Sequence, residues 1–155
     1  MSNKPVTDAL KGILADTYSL QLKTQNYHWN VEGGLFRSLH LMFEEQYNEL
    51  FAAVDVVAER IRALGEKAPG TYSEFAKLTK IKEAKAEADD FEMVKDLHQS
   101  NLQLSENLKK ALEKAEKADD AATADLFTQR IAVHDKAAWM LRSVLAPEQR
   151  KKLVA

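Results

Sequence analysis

The chain has 155 residues, 45% hydrophobic and 30% charged, with a formal net charge of −2 at pH 7. That length suits one domain with its own core, and the near-neutral charge leaves no strongly basic field to draw the chain onto nucleic acid. The absence of cysteine excludes disulfides, thiolate metal sites and cysteine nucleophiles, and no apolar run or signal core argues for a membrane span or an exported precursor.

Ala, Leu, Glu and Lys abound while Gly and Pro number 5 and 3, which favours an all-α fold. Residues 1–6 read as a short tail. A first helix is expected from near Thr7, whose hydroxyl can cap it, to about Val31. Its apolar positions are Leu10, Ile13, Leu14, Leu20 and Tyr27. Thr17, Gln21 and Thr24 share their face, a polarity easiest to explain if the helix end approaches a hydrated metal site. Gly33-Gly34 breaks the helix.

A second helix carries Leu39, Phe43, Tyr47, Leu50, Val54, Val57, Ile61 and Leu64 at three-and-four spacing, with Gly65 placed to end it. Pro69-Gly70 marks a turn, and Tyr72 to Leu78 reads as a short helix with Thr71 or Ser73 at its start. Asp89-Asp90 opens a third long helix, acidic at its favoured N-terminal end. Phe91, Val94, Leu97, Leu102, Leu104, Leu108 and Leu112 form its apolar face, and Lys109–Lys117 reads as solvated helix. Asp119-Asp120 opens a fourth, with Leu126, Phe127, Ile131, Val133, Ala137, Met140, Leu141 and Val144 running towards Pro147. Residues 147–155 read as a short tail. Four amphipathic helices with one long connection suit a ferritin-like four-helix bundle, with the short extra helix in the crossover. No repeat or second domain is visible, so residues 1–155 are expected to form a single domain.

The chemistry concentrates between Asn26 and Gly65. His28 and His40 flank Gly33-Gly34, and Asp55 and Glu59 follow one helical turn apart. Histidine with carboxylate suits iron, manganese or zinc. On the second helix His40, Glu44, Phe51 and Asp55 fall within roughly 60° of one another. Yet fifteen residues separate His40 from Asp55, about 22 Å along a helix, while a metal–ligand bond is only about 2 Å. Either the pairs are unrelated, on a solvated charged face with a stray histidine, or a second subunit closes the gap. Two antiparallel copies of this helix about a two-fold axis would set His40 of one beside Asp55 of the other.

Other chemistry is thinner. No Glu-x-x-His occurs, because Gln25, Arg37, Lys95 and Ile131 stand three residues before the four histidines. The usual di-iron centre inside a bundle uses that motif. His98 and His134 lack carboxylate partners in sequence and read as packed residues. No phosphate-cradling glycine loop or nucleophile elbow is present.

The runs YHWNVEGGLFRSLH, FEEQY and VDVVAERIRALG resemble the Dps family of miniferritins, DNA-binding proteins from starved cells. The likeness continues through SEFAKLTKI and ATADLFTQRIAVHDKAAWMLRSVL and covers nearly the whole chain. Gly34 departs from the family's usual proline, which is expected to loosen the turn and leave the ligands intact. The resemblance implies an iron-storing, peroxide-detoxifying ferroxidase that oxidises Fe(II), preferably with H2O2, at an intersubunit site and keeps ferric mineral in a hollow dodecamer. The alternative is a DNA-compacting or structural shell with a weak or silent oxidation site.

Residue by residue, the resemblance makes His28 and His40 iron ligands from one subunit, and Asp55 and Glu59 ligands from its two-fold partner. Glu44 becomes an auxiliary ligand and Trp29 a neighbour of the site. Glu45 faces either the cavity or solvent. Asp125, with Asp120, lines a three-fold pore, with helix-dipole compensation as the competing role for both. Other divalent metals suit the same ligands. DNA binding is expected to be weak or absent, since the termini offer only Lys4 and Arg150, Lys151 and Lys152 per chain. No membrane is implied, and the cytoplasm, with the nucleoid inside it, is the expected location.

Overall fold

The apolar stripes resolve into six helices, with no strand among the described residues: α1 (Lys4–Asn30), α2 (Phe36–Ala63), α3 (Tyr72–Leu78), α4 (Asp90–Lys117), α5 (Ala121–Val144) and α6 (Pro147–Arg150). They come from a computed structural model that describes residues 3–151 and 153. Helix α1 packs on α2 and α4, α4 packs on α5, and α3 lies on α1. Cross-links give the directions. Asp16 of α1 meets Asn107 of α4 and Lys23 meets Asp96, so these helices are antiparallel. Glu49 meets Arg130 and Arg60 meets Asp120, so α2 and α5 are antiparallel as well. Helix α4 therefore runs parallel to α2, and residues 64–89 must travel the length of the bundle between them. This is the ferritin-like bundle with its crossover helix.

Leu10, Leu14, Leu20, Tyr27, Leu39 and Phe43 are among the fully buried side chains. Each large aliphatic truncation in such a core costs about 2–5 kcal/mol. The helix starts follow local chemistry. Thr71 and Glu74 form a capping box at α3, and Asp89 and Glu92 form one at α4. Asp120 caps α5 by accepting from the Thr123 N–H. A cap of this kind is worth about 1 kcal/mol. Gly65 follows α2 at φ 95° and Gly33 follows α1 at φ 111°, the left-handed region where a side chain is strained. A Cβ at Gly33 would also stand 3.0 Å from an Asp90 carboxylate oxygen.

Several expectations need correction. Helix α1 starts at Lys4, not near Thr7, because Pro5 fits the first turn, where a missing N–H costs nothing. The Asn3 carbonyl accepts the Val6 and Thr7 amides. The Thr7 hydroxyl donates to Lys4 O and to Glu66 instead of capping. Among the described residues only Asn3 remains of the tail 1–6. In the tail 147–155, residues 147–150 form α6, and Arg150 Nε donates to Leu145 O at 2.9 Å. Lys152 lies outside the described residues.

The polar stripe of α1 needs no metal. Thr17 and Thr24 donate to the carbonyls of Ile13 and Leu20, each at 2.7 Å, the i−4 bond that satisfies a buried hydroxyl within its own helix. On α5 the buried stripe is Thr123, Phe127, Arg130, His134, Ala138 and Leu141. Leu126, Ile131, Val133, Ala137, Met140 and Val144 are only half-buried. Polar side chains win the inner face because each finds partners there. In the Lys109–Lys117 stretch Ala111 and Ala115 are buried while the charged residues stay exposed.

Candidate metal centre

The turn at Gly33-Gly34 brings the end of α1 against the start of α2, and there the two histidines meet. Their rings stack with centroids 3.8 Å apart and 12° between planes. The His28 Nδ1–H donates to the His40 carbonyl at 2.7 Å, and the His40 Nδ1–H donates to the His28 carbonyl at 2.8 Å. A carbonyl can only accept, so both Nδ1 atoms carry the proton. The tautomer is thereby set, and neither Nε2 has a hydrogen-bond partner among the described residues. The second bond also caps an orphan carbonyl in the last turn of α1. Phe36 stacks on His40 at 5.0 Å and Tyr47 stands edge-on to His28 at 5.1 Å. Sequence reasoning missed both supports, although Phe36 lies four residues before His40 and Tyr47 seven after it, on one helix face.

Gly34 has open space around it and no left-handed φ. The positive φ belongs to Gly33, so the residue at 34 is not what makes the turn.

The carboxylates stand elsewhere. Glu44 is half-buried one turn beyond His40, whereas Asp55 and Glu59 are exposed far along α2. No group of three metal-binding side chains comes together among the described residues. One protomer thus presents two imidazole nitrogens at one end of α2 and two free carboxylates nearer the other. Trp29 is 61% exposed, and Leu22, Phe51 and Val56 are also exposed on these two helices.

The remaining candidates divide. Asp120 is committed to its capping bond, to Thr123 Oγ1 at 2.6 Å and to Arg60 at 2.8 Å. Burial pushes its carboxyl up, but the Thr123 and Arg60 contacts outweigh it and hold the group below its ordinary range. Asp125 is exposed, with one bond from Gln129 Nε2 at 2.7 Å. Glu45 is exposed and lines a cleft of about 310 Å³ between α2 and α5 with Gln46, Glu49 and His134.

His98 and His134 are structural. His98 Nδ1 donates to Ala138 O at 2.9 Å. His134 Nδ1 donates to Asn101 Oδ1 at 2.9 Å, and its Nε2 accepts from Arg130 Nη2 at 3.2 Å. Arg130 also grips Glu49 through both terminal nitrogens. Burial, with the Arg130 charge adding to it, pushes His134 down to about 3.

Residues 7–150 match the ferritin-like domain family. DNA protection during starvation protein 2 of Bacillus anthracis is 37% identical over 143 residues, covering 92% of this chain and 98% of that one. The crystal structure of Dps from Staphylococcus aureus superposes with a TM-score of 0.91 at 36% identity, covering 94% of this chain and 97% of that one. Dps from Vibrio cholerae O1, described as a member of a broad superfamily of ferritin-like diiron-carboxylate proteins, superposes at 0.89 with 30% identity, covering 93% and 91%.

Proposed function

This chain belongs to the ferritin-like domain family, in its Dps branch, and from that membership we propose that it is an iron-storing ferroxidase whose oxidation site forms between two subunits. The observation that carries the reading is the reciprocal His28–His40 clasp, which leaves two Nε2 donors ready and, among the described residues, no third metal-binding side chain gathered with them. Two antiparallel copies of α2 about a two-fold axis bring Asp55 and Glu59 of the partner subunit to those nitrogens, and symmetry makes two such sites. The apolar side chains of Leu22, Trp29, Phe51 and Val56 give that contact its cover, since an exposed apolar patch marks an interaction surface. The shell is a dodecamer built from six such dimers, with each 155-residue chain acting as one domain. Asp125, with Asp120 behind it, would stand at the three-fold entry.

Iron is the substrate here. Carboxylates at Asp55, Glu59 and Glu44 draw Fe(II) in by charge, and mixed imidazole–carboxylate donors suit it. The clasp holds the imidazoles in the ligating tautomer before iron arrives, so no rotamer is reorganised on binding. Two Fe(II) ions supply the two electrons that reduce one H2O2, with two protons, to two waters. One-electron release of hydroxyl radical is thereby avoided. The acidic α2 face, with Glu45, then offers ferric ions an oxygen-rich surface. DNA binding is weak or absent, since the termini carry few basic residues per chain.

Anaerobic loading with Fe(II), followed by H2O2, tests this. Ferric absorbance should rise fast with little hydroxyl radical, and either His28→Ala or Asp55→Ala should stop it. Oxidation at the protein-free rate in the parent chain would favour a shell without a working oxidation site.

A further inference from the structure

Helices α3, α4 and α5 each begin with a side-chain cap, whereas α2, which carries His40, has none at Leu35. Its first amide is met by the turn instead: Phe36 N–H donates to Gly33 O at 3.1 Å. The place of Gly33 therefore sets where α2 starts, and Phe36 stacks on His40 at 5.0 Å. Gly33 sits at φ 111°, a conformation that glycine enters without strain and leaves as easily. Residues 32–34 are exposed, so burial does not fix the turn.

One group from a distant helix does reach it. A Cβ at Gly33 would stand 3.0 Å from Asp90 Oδ2 and 3.7 Å from Asp90 Cγ. Beyond the turn's own neighbours, no other heavy atom among the described residues lies within 4 Å of that place. Asp90 is itself held. Its Oδ1 accepts the Phe91 N–H at 2.8 Å. The backbone beneath it is locked by the Asp89–Glu92 capping box, with both bonds at 2.8 Å. The first turn of α4 thus holds a carboxylate oxygen in the space beside Gly33. Asp89 and Glu92 already complement the α4 dipole, so that helix has no need of a third acid.

We propose that Asp90 is a positioning residue for the metal site: from the start of α4 it props the Gly33 turn where the His28–His40 clasp can close. The influence passes from Asp90 to Gly33, through the Phe36 amide and ring to His40, and through the His40 carbonyl to His28 Nδ1. The proposal rests on the iron-site reading for what the clasp binds. A prop acts through shape, so the isosteric amide replaces it. A charge that only draws cations inward is lost in the amide.

The test is anaerobic Co(II) titration of the full-length assembly, followed by visible absorption, beside the kinetics of Fe(II) oxidation. Co(II) takes the same imidazole and carboxylate donors. The component of binding that disappears in His28→Ala is the one read. Asp90→Ala should weaken that component about tenfold, the lower end of what supporting groups cost a metal site, and should alter its visible band. It should raise the Fe(II) concentration for half-maximal rate by a similar factor and keep the maximal rate within about twofold, the pattern of lost ground-state binding. Asp90→Asn should match the parent in all three. Lower melting in Asp90→Ala with parental Co(II) binding would reduce Asp90 to a helix-start residue and overturn the proposal alone. Equal losses in Asp90→Asn and Asp90→Ala would make its role one of charge, and overturn it as well. A parent that takes up Co(II) no better than His28→Ala would sink the iron site and the prop together.

Discussion

The histidine pair between α1 and α2 and the histidine within α5 have the same inner contact and opposite outer ones. His28, His40 and His134 each place Nδ1 against an oxygen. In His134 the other nitrogen accepts from Arg130, so the ring is used up inside the protein. In His28 and His40 no hydrogen bond among the described residues engages Nε2. The difference teaches that burial alone does not mark a ligand, since His28 is 7% exposed and His134 1%. What separates the pair from His134 is that their second nitrogens have no hydrogen-bond partner among the described residues.

The strongest contrast should appear with pH. His134 goes from an ordinary value of 6.5 to about 3 on folding. A histidine lowered in the folded state contributes stability that is complete above pH 6.5 and is lost as pH falls towards 3, because only the unfolded chain takes up the proton. The loss through this group is on the order of 4 kcal/mol. Urea unfolding across that window should show it, and His134→Gln should remove this component. An unchanged slope in the variant would mean the ring is not held neutral.

Next, His28→Ala should lower the rate of Fe(II) oxidation by about 100-fold, the upper end of what even supporting groups cost a metal site. Its melting should move little, since one hydrogen bond is worth about 1 kcal/mol. Arg130→Ala should do the reverse. It leaves Glu49 unpaired, and because that carboxylate is 42% exposed the loss should be about 2 kcal/mol, short of the full cost for a buried pair. Iron oxidation should be unchanged. If Arg130→Ala instead slowed oxidation as His28→Ala does, the two regions would not be separate. The smallest effect belongs to Phe36→Ala. Losing a ring stack worth about 1 kcal/mol should raise the Fe(II) concentration for half-maximal rate about fivefold. No change would remove Phe36 as a support of His40.

Much of the bundle can be read from the chain, because helix periodicity and caps are local. Asp89, Asp120 and Thr71 begin helices where a short polar side chain meets an apolar run, and Leu39, Phe43, Leu50, Val57 and Ile61 are buried as their spacing predicts. The inner face of α5 is not readable that way. Arg130 looks like a surface residue, and the partners of the packed His134 are invisible, until Glu49, 81 positions from Arg130, and Asn101 supply them. The Asp16 anchor of the crossover is hidden for the same reason, with Thr79 and Asn107 far off in sequence. For the candidate site, the four residues and the gap of about 22 Å follow from sequence and helix rise. The reciprocal clasp does not, because it depends on the turn at Gly33 closing one helix end on another.

The central claim is that the histidines of one subunit work with the carboxylates of another. The most direct measurement mixes unfolded His28→Ala and Asp55→Ala chains, refolds them together and records Fe(II) oxidation. A mixed dimer has one site with both defects and one with none. Random pairing should therefore restore about a quarter of the parental rate, although each variant refolded alone is inactive. A mixture no more active than either variant alone would place His28 and Asp55 in the same subunit's chemistry, and the intersubunit site would be wrong.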